Sequence, residues 1–264
     1  MNGSSLPNLP KTGQREASVS ARSLLTVITI TKDDPVGFRR TLDSLQPLRA
    51  LGVQHVVIDG GEEDFSLVPG EVLRIAREPR GIADAFNAGC AAANSDWIWF
   101  LNGGDALHEA LDPAWLLAYL SQTRGDAIFG AIQRDGDPQP MAMPHLRYQW
   151  PIVVCWPLHP AAIVRRETVV RVGGFRNDLR IAMDYDLWFR LMDRIGRVDV
   201  VSVCLARFDT KGISERESMR RLAQLEAARV LLRHSPSVLK NVCFVAVRAI
   251  WKLLGALVTL ARLR

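Results

Sequence analysis

Cysteine is scarce and scattered: Cys90, Cys155, Cys204 and Cys243 form no CxxC pair. That excludes a zinc ribbon and a disulfide framework and favours a reducing compartment. No GxxxxGK[ST] occurs anywhere and no GxGxxG follows the first apolar run, so a P-loop ATPase and a dinucleotide fold both lose their phosphate-binding loop. His55, His108, His145 and His234 have no metal-ligand spacing. The charged start and apolar core of a signal peptide are missing; residues 1–23 are rich in Ser, Pro, Asn and Gly and read as a flexible leader.

Excess charge is also missing from most of the chain. Of 33 Lys and Arg, five (Lys240, Arg248, Lys252, Arg262, Arg264) lie in residues 237–264, which hold no acid. The preceding residues therefore carry 28 bases against 28 acids, and the tail holds the whole basic balance. With 264 residues, 48% of them hydrophobic and 23% charged, the chain can bury a sizeable core, which excludes disordered and collagen-like classes.

What is present begins at Leu24, where a β-branched run of strand length leads into Lys32-Asp33-Asp34-Pro35 and a helical stretch to about Ala50. Val53–Ile58 is a second short apolar run, closed by Asp59-Gly60-Gly61, and Val72–Ala76 a third. Gly81–Asn94 is helical in composition, and Ser95–Leu101 is a fourth strand, closed by Asn102-Gly103-Gly104-Asp105. Strands alternating with helices predict an α/β fold: a Rossmann-like, mostly parallel sheet with helices on both faces. Trp97, Trp99 and Phe100 belong to its core, because a central strand is buried on both sides.

Ligands of such sheets bind beyond the carboxyl ends of the strands. Asp and Gly make turns after most strands, so any one of these three endings is explained by turn chemistry. Three together point to a site. Acids rather than a glycine-rich loop suggest phosphates held through a divalent cation, for which Mg²⁺ needs only one or two carboxylates, and Asp105 is placed for that role.

In the second half, Pro157-Leu158-His159-Pro160 leads into an apolar run, Gly173-Gly174-Phe175 follows, and Ala182-Met183-Asp184-Tyr185-Asp186-Leu187-Trp188 opens a helix. The helix dipole alone favours one acid at that N-terminus, and two exceed what a cap requires. Phe208-Asp209-Thr210-Lys211-Gly212 follows an apolar strand and precedes a long helix, whose Ser214 and Glu217 form a capping box. By position, Lys211 and Gly212 are candidates for a lid over a diphosphate.

As an ordered set these strings resemble the family 2 glycosyltransferases, inverting enzymes of GT-A fold, and within them bacterial envelope and exopolysaccharide transferases. The resemblance runs from about residue 24 to residue 214. It implies that Thr31, Asp33 and Asp59 surround the nucleoside of a sugar nucleotide. Arg80, Asp84 and Asn87 lie in the stretch that closes over the nucleotide, and Gly104-Asp105 matches the DXD-like motif, with Asp105 holding Mg²⁺ or Mn²⁺. Asp184 matches the general base. His159, Asp186, Trp156 and Lys211 are candidate contacts to acceptor or phosphate. The chain departs from the family at Asn102 and Ile58, where many members carry an acid. Met183 stands where a Glu is common, which removes a charge beside Asp184 and leaves its pKa less raised.

The expected organisation is a leader (1–23), a GT-A domain (24–213), an amphipathic helix (214–236) and a basic amphipathic helix (237–264). In the last, Lys240, Arg248, Lys252 and Arg262 share one polar third of the helical wheel. Arg248 and Lys252 interrupt the apolar run, so an in-plane helix on the inner face of the cell membrane fits better than a spanning one. Packing of that helix on the domain or on a second copy of the chain is the competing arrangement, so homo-oligomerisation stays open. Nucleic acid is disfavoured as a partner because the body is neutral.

The activity expected is metal-dependent transfer from a UDP- or GDP-linked sugar to a hydroxyl of a lipid-linked or surface polysaccharide. The alternatives are transfer to a polyprenyl phosphate, or a catalytically silent scaffold.

Overall fold

The computed structural model describes residues 22–61, 68–141, 159–212 and 217–234. Expectations for Trp156, for the capping-box Ser214 and for the helix at 237–264 lie outside the described residues.

In chain order the strands are β1 (Leu25–Thr31), β2 (Gln54–Asp59), β3 (Leu73–Ala76), β4 (Trp97–Asn102), β5 (Ala106–Leu107), β6 (Ala127–Arg134), β7 (Ala162–Arg165) and β8 (Val198–Phe208). The helices are α1 (Pro35–Ser44), α2 (Gln46–Ala50), α3 (Ile82–Ala92), α4 (Pro113–Gln122), α5 (Arg166–Arg171), α6 (Met183–Met192) and α7 (Glu217–His234). A single 3₁₀ turn at His159–Ala161 precedes β7.

All eight strands form one sheet in the order β3-β2-β1-β4-β7-β6-β8-β5. The first four in that order run parallel, and β7 reverses against both β4 and β6. This is the α/β sheet expected from the alternation of elements.

Period-two side-chain alternation divides the core. Ile28, Ile98 and Phe100 face Phe86 of α3 and Leu187 and Trp188 of α6, joined by Val230 and Leu231 of α7. Leu25, Val27, Trp97, Trp99 and Leu101 face the other way, onto Leu48 of α2 and Leu116 and Leu120 of α4. Trp97, Trp99 and Phe100 are fully buried, as expected of a central strand. The indole N–H groups of the two Trp are satisfied by the carbonyls of Leu120 and Pro160. A layer of helices thus covers each face, and the carboxyl ends of β1, β2 and β4 stay aligned, with Thr31 opposite Asp59 and Ile30 opposite Asn102.

Candidate active site

The aligned strand ends form a shelf. Beyond it the Gly60 N–H donates to the Thr31 carbonyl and the Gly103 N–H to the Ile30 carbonyl, each continuing the sheet for one more residue. Asp59 is buried on this shelf; its Oδ1 accepts from the Gly61 N–H at 2.9 Å and its Oδ2 from Arg74 at 2.6 Å. Thr31 Oγ1 is buried there without a hydrogen-bond partner. Asp33 stands at the lip with φ 53°, a left-handed conformation that aspartate tolerates better than most residues.

Asp105 lies at the next strand end. Its Oδ2 accepts from the Asn102 backbone N–H at 3.0 Å and from the Asn102 amide at 3.3 Å, and its Oδ1 accepts from the Asp209 N–H at 3.0 Å. Burial pushes this carboxyl up to about 7; the hydrogen bonds act the other way, and the charge of Asp209 adds to the rise. Gly104 makes the turn possible. Its φ is +105°, its N–H donates to Thr41 Oγ1 at 3.0 Å, and a Cβ there would meet Asp209 Oδ2 at 2.5 Å. Arg40 lies in the field of Asp209 and Asp105 and is held by Asp135, with Nη2 2.7 Å from Oδ1.

Asp209 and Arg40 were not picked out in the sequence. Asp209 follows a strand just as Asp33, Asp59 and Asp105 do, so the strand-end rule could have found it. Arg40 carries no comparable signal.

Asp184 sits in the first turn of α6. Its Oδ1 accepts from the Tyr185 N–H at 2.7 Å within that first turn, while burial pushes its carboxyl up to about 6. The missing acid at Met183 therefore does not leave it unperturbed; desolvation supplies the shift.

Asp186, two residues on, is sealed. Its Oδ2 accepts from Arg190 Nε at 2.7 Å and its Oδ1 lies 3.0 Å from His234 Nε2. Burial pushes Asp186 up, but His234 and Arg190 outweigh it and hold the carboxyl below its ordinary value. Its expected contact with acceptor or phosphate is replaced by an internal anchor for α7.

The remaining expected residues divide. Asp84 is paired with Arg77 on the rim, through contacts of 2.8 and 3.0 Å. Arg80 is exposed, 3.7 Å from Glu78. The Asn87 side chain binds both the N–H and the carbonyl of Phe175, each at 2.8 Å, and so fastens the Gly173-Gly174-Phe175 turn to α3. His159 is enclosed by Phe86, Phe100, Phe175 and Trp188, its ring 5.1 Å from that of Phe100 and almost parallel to it. Among the described residues neither ring nitrogen has a hydrogen-bond partner, and burial pushes its pKa down to about 4, so it is a neutral core residue at ordinary pH. The Lys211 N–H donates to Asp209 Oδ1 at 3.0 Å, which places Lys211 beside the Asp105 turn.

Among the described residues no group of three or more His, Cys, Asp and Glu gathers to hold a metal. Two acids, Asp105 and Asp209, adjoin at one strand end. Mg²⁺ and Mn²⁺ in phosphate sites take one or two carboxylates and complete their shell with water and phosphate oxygens. A buried carboxylate beside a second acid, with Arg40 in their field but itself held by Asp135, fits such a cation.

A mixed sheet with helices on both faces and acids at its strand ends defines an α/β protein with a candidate ligand site at the carboxyl edge of its sheet. The family profile described as "Glycosyl transferase family 2" matches residues 26–194. An uncharacterized glycosyltransferase of Mycobacterium tuberculosis is 30% identical over 210 residues, covering 73% of this chain and 78% of its own. A PGL/p-HBAD biosynthesis glycosyltransferase of Mycobacterium bovis is 23% identical, covering 88% of this chain and 98% of its own.

In structure, S. aureus TarS 1-349 in complex with UDP-GlcNAc superposes with a TM-score of 0.61 at 15% identity, covering 83% of this chain and 69% of that one. A Pyrobaculum calidifontis mannosyltransferase in complex with GDP-Man and Mn²⁺ gives 0.52 at 13% identity, covering 92% and 81%. Of a longer S. aureus TarS structure the chain spans 42%. The chain belongs to glycosyl transferase family 2 and is a glycosyltransferase.

Proposed function

We propose that the protein transfers a sugar, with inversion, from a UDP- or GDP-linked donor to a hydroxyl of a lipid-linked or surface polysaccharide acceptor. The observation that carries this reading is Asp184, a carboxylate at a helix N-terminus whose burial raises it to about 6, the range of a working general base. Asp184 accepts the proton of the acceptor hydroxyl as that oxygen attacks the anomeric carbon. The bond from that carbon to the diphosphate oxygen breaks, and the nucleoside diphosphate leaves with the electron pair. Thr31, Asp33 and Asp59 hold the nucleoside on the shelf, and Asp84 and Arg80 flank it from the α3 side.

Asp105, with Asp209 beside it, would hold Mg²⁺ or Mn²⁺. The cation's contribution is to neutralise charge on the diphosphate. The two named structural neighbours were solved with UDP-GlcNAc and with GDP-Man and Mn²⁺, which supports a nucleotide-sugar donor and a divalent cation here. We place the enzyme at the cytoplasmic membrane face, attached through residues 237–264.

Asp184→Asn tests the chemistry. The isosteric amide cannot take a proton, so transfer falls by about 10²–10⁴-fold, while donor binding and the fold persist. Near-normal turnover would remove Asp184 from the role. In the same assay, chelation of divalent ions and Asp105→Asn each abolish turnover by weakening donor binding, and a panel of glycan and polyprenyl-phosphate acceptors fixes the acceptor class.

A further inference from the structure

Glu226 of α7 is a carboxylate only 4% exposed, in a helix that lies beyond the segment matched by the family profile. Its oxygens face three successive backbone N–H groups: Oε1 accepts from Arg180 at 2.9 Å, and Oε2 from Ile181 at 2.8 Å and Ala182 at 2.9 Å. These residues deliver the chain into α6, which opens at Ala182 with no side-chain cap of its own. A buried carboxylate costs several kcal/mol unless its lone pairs are filled, and here donors at a helix N-terminus fill them.

The same helix holds α6 a second time. His234 lies 3.0 Å from Asp186 and stacks on Phe189 with ring centroids 5.2 Å apart, and Arg233 reaches Asp178 at 2.9 Å. Asp184 stands between the two holds.

We propose that Glu226 is a positioning residue for transfer: by fixing residues 180–182 it fixes the start of α6 and so the place of Asp184, which makes α7 part of the catalytic unit. This rests on the reading of Asp184 as the base. Displacement of a reacting group by about 1 Å costs on the order of 10²-fold in rate, whereas the donor shelf is carried by β1, β2 and β4, to none of which Glu226 bonds.

Glu226→Gln keeps the size but turns one acceptor into an N–H₂ group facing backbone donors, and Glu226→Asp keeps the charge but shortens the reach. Both are expected to lower kcat, the Gln variant by about 10–100-fold, with the KM for nucleotide sugar within about twofold of the parent. Unchanged kcat in both overturns the proposal, as does a loss of kcat matched by a rise in donor KM, the pattern of general loosening.

Amide hydrogen exchange on the unmodified protein is the second measurement, independent of how any variant folds. The N–H groups of 180, 181 and 182 should be protected, and exchange at the rate of an open loop overturns the clamp. Asp184→Asn in the same series separates the two readings. Near-normal turnover there removes the base and this inference with it, whereas a dead Asp184→Asn with a fully active Glu226→Gln overturns the positioning alone.

Discussion

Asp184 and Asp186 are two residues apart on one helix and meet opposite fates. Both are drawn out of water, which favours the protonated acid. Asp186 is met by Arg190 and His234 and is driven below its ordinary value; among the described residues Asp184 is met by backbone N–H groups and is raised to about 6. A consequence can be measured in the pH dependence of kcat/KM at saturating Mn²⁺. Below about 6 Asp184 holds a proton and cannot accept another, so the rate should fall about tenfold per pH unit on the acid side and level off above. An acid limb near pH 4 instead would show that Asp184 is solvated in the working enzyme. The sequence placed both acids at a helix N-terminus correctly. Arg190, four residues from Asp186 on the same helix, was within reach of the sequence, but the other partner that separates the two acids, His234, lies 48 residues away and on another helix.

At the scale of elements, the parallel half of the sheet and its acidic ends were legible, since β-branched runs closed by Asp and Gly are local features. The reversal at β7 was not, because an apolar run of four residues reads the same in either direction. Asp209 was legible as one more acid after a strand, but its place was not: only the long β8, paired with β6 and β5, carries it back to the Asn102–Asp105 turn. That turn depends on Gly104. In Gly104→Ala a side chain would be forced into a positive φ and against the Asp209 carboxylate at 2.5 Å. The expected result is a loss of donor-induced thermal stabilisation with Mn²⁺, together with a fall in intrinsic stability of about 1–3 kcal/mol. If the nucleotide sugar still shifts the melting temperature fully, the turn is not part of the donor site.

For the whole molecule the question is where its charge acts. The first 236 residues balance, and the five bases of 237–264 stand alone. Among the described residues no helix is long and apolar enough to cross a membrane. Each Lys or Arg near an anionic bilayer contributes about 1 kcal/mol, so five shift partitioning by about 5,000-fold at low salt, and the effect should shrink as the Debye length falls. Nucleic acid would be attracted by the same charge, but a formally neutral body disfavours it as the partner. Co-sedimentation with phosphatidylserine vesicles should therefore retain the full chain at low ionic strength and release much of it at about 0.5 M salt. A chain ending at residue 236 should stay in the supernatant while still hydrolysing nucleotide sugar. Equal pelleting of the two forms would move the membrane contact off the tail. Loss of hydrolysis together with pelleting would mean that the tail packs on the domain, the arrangement that competes with membrane attachment.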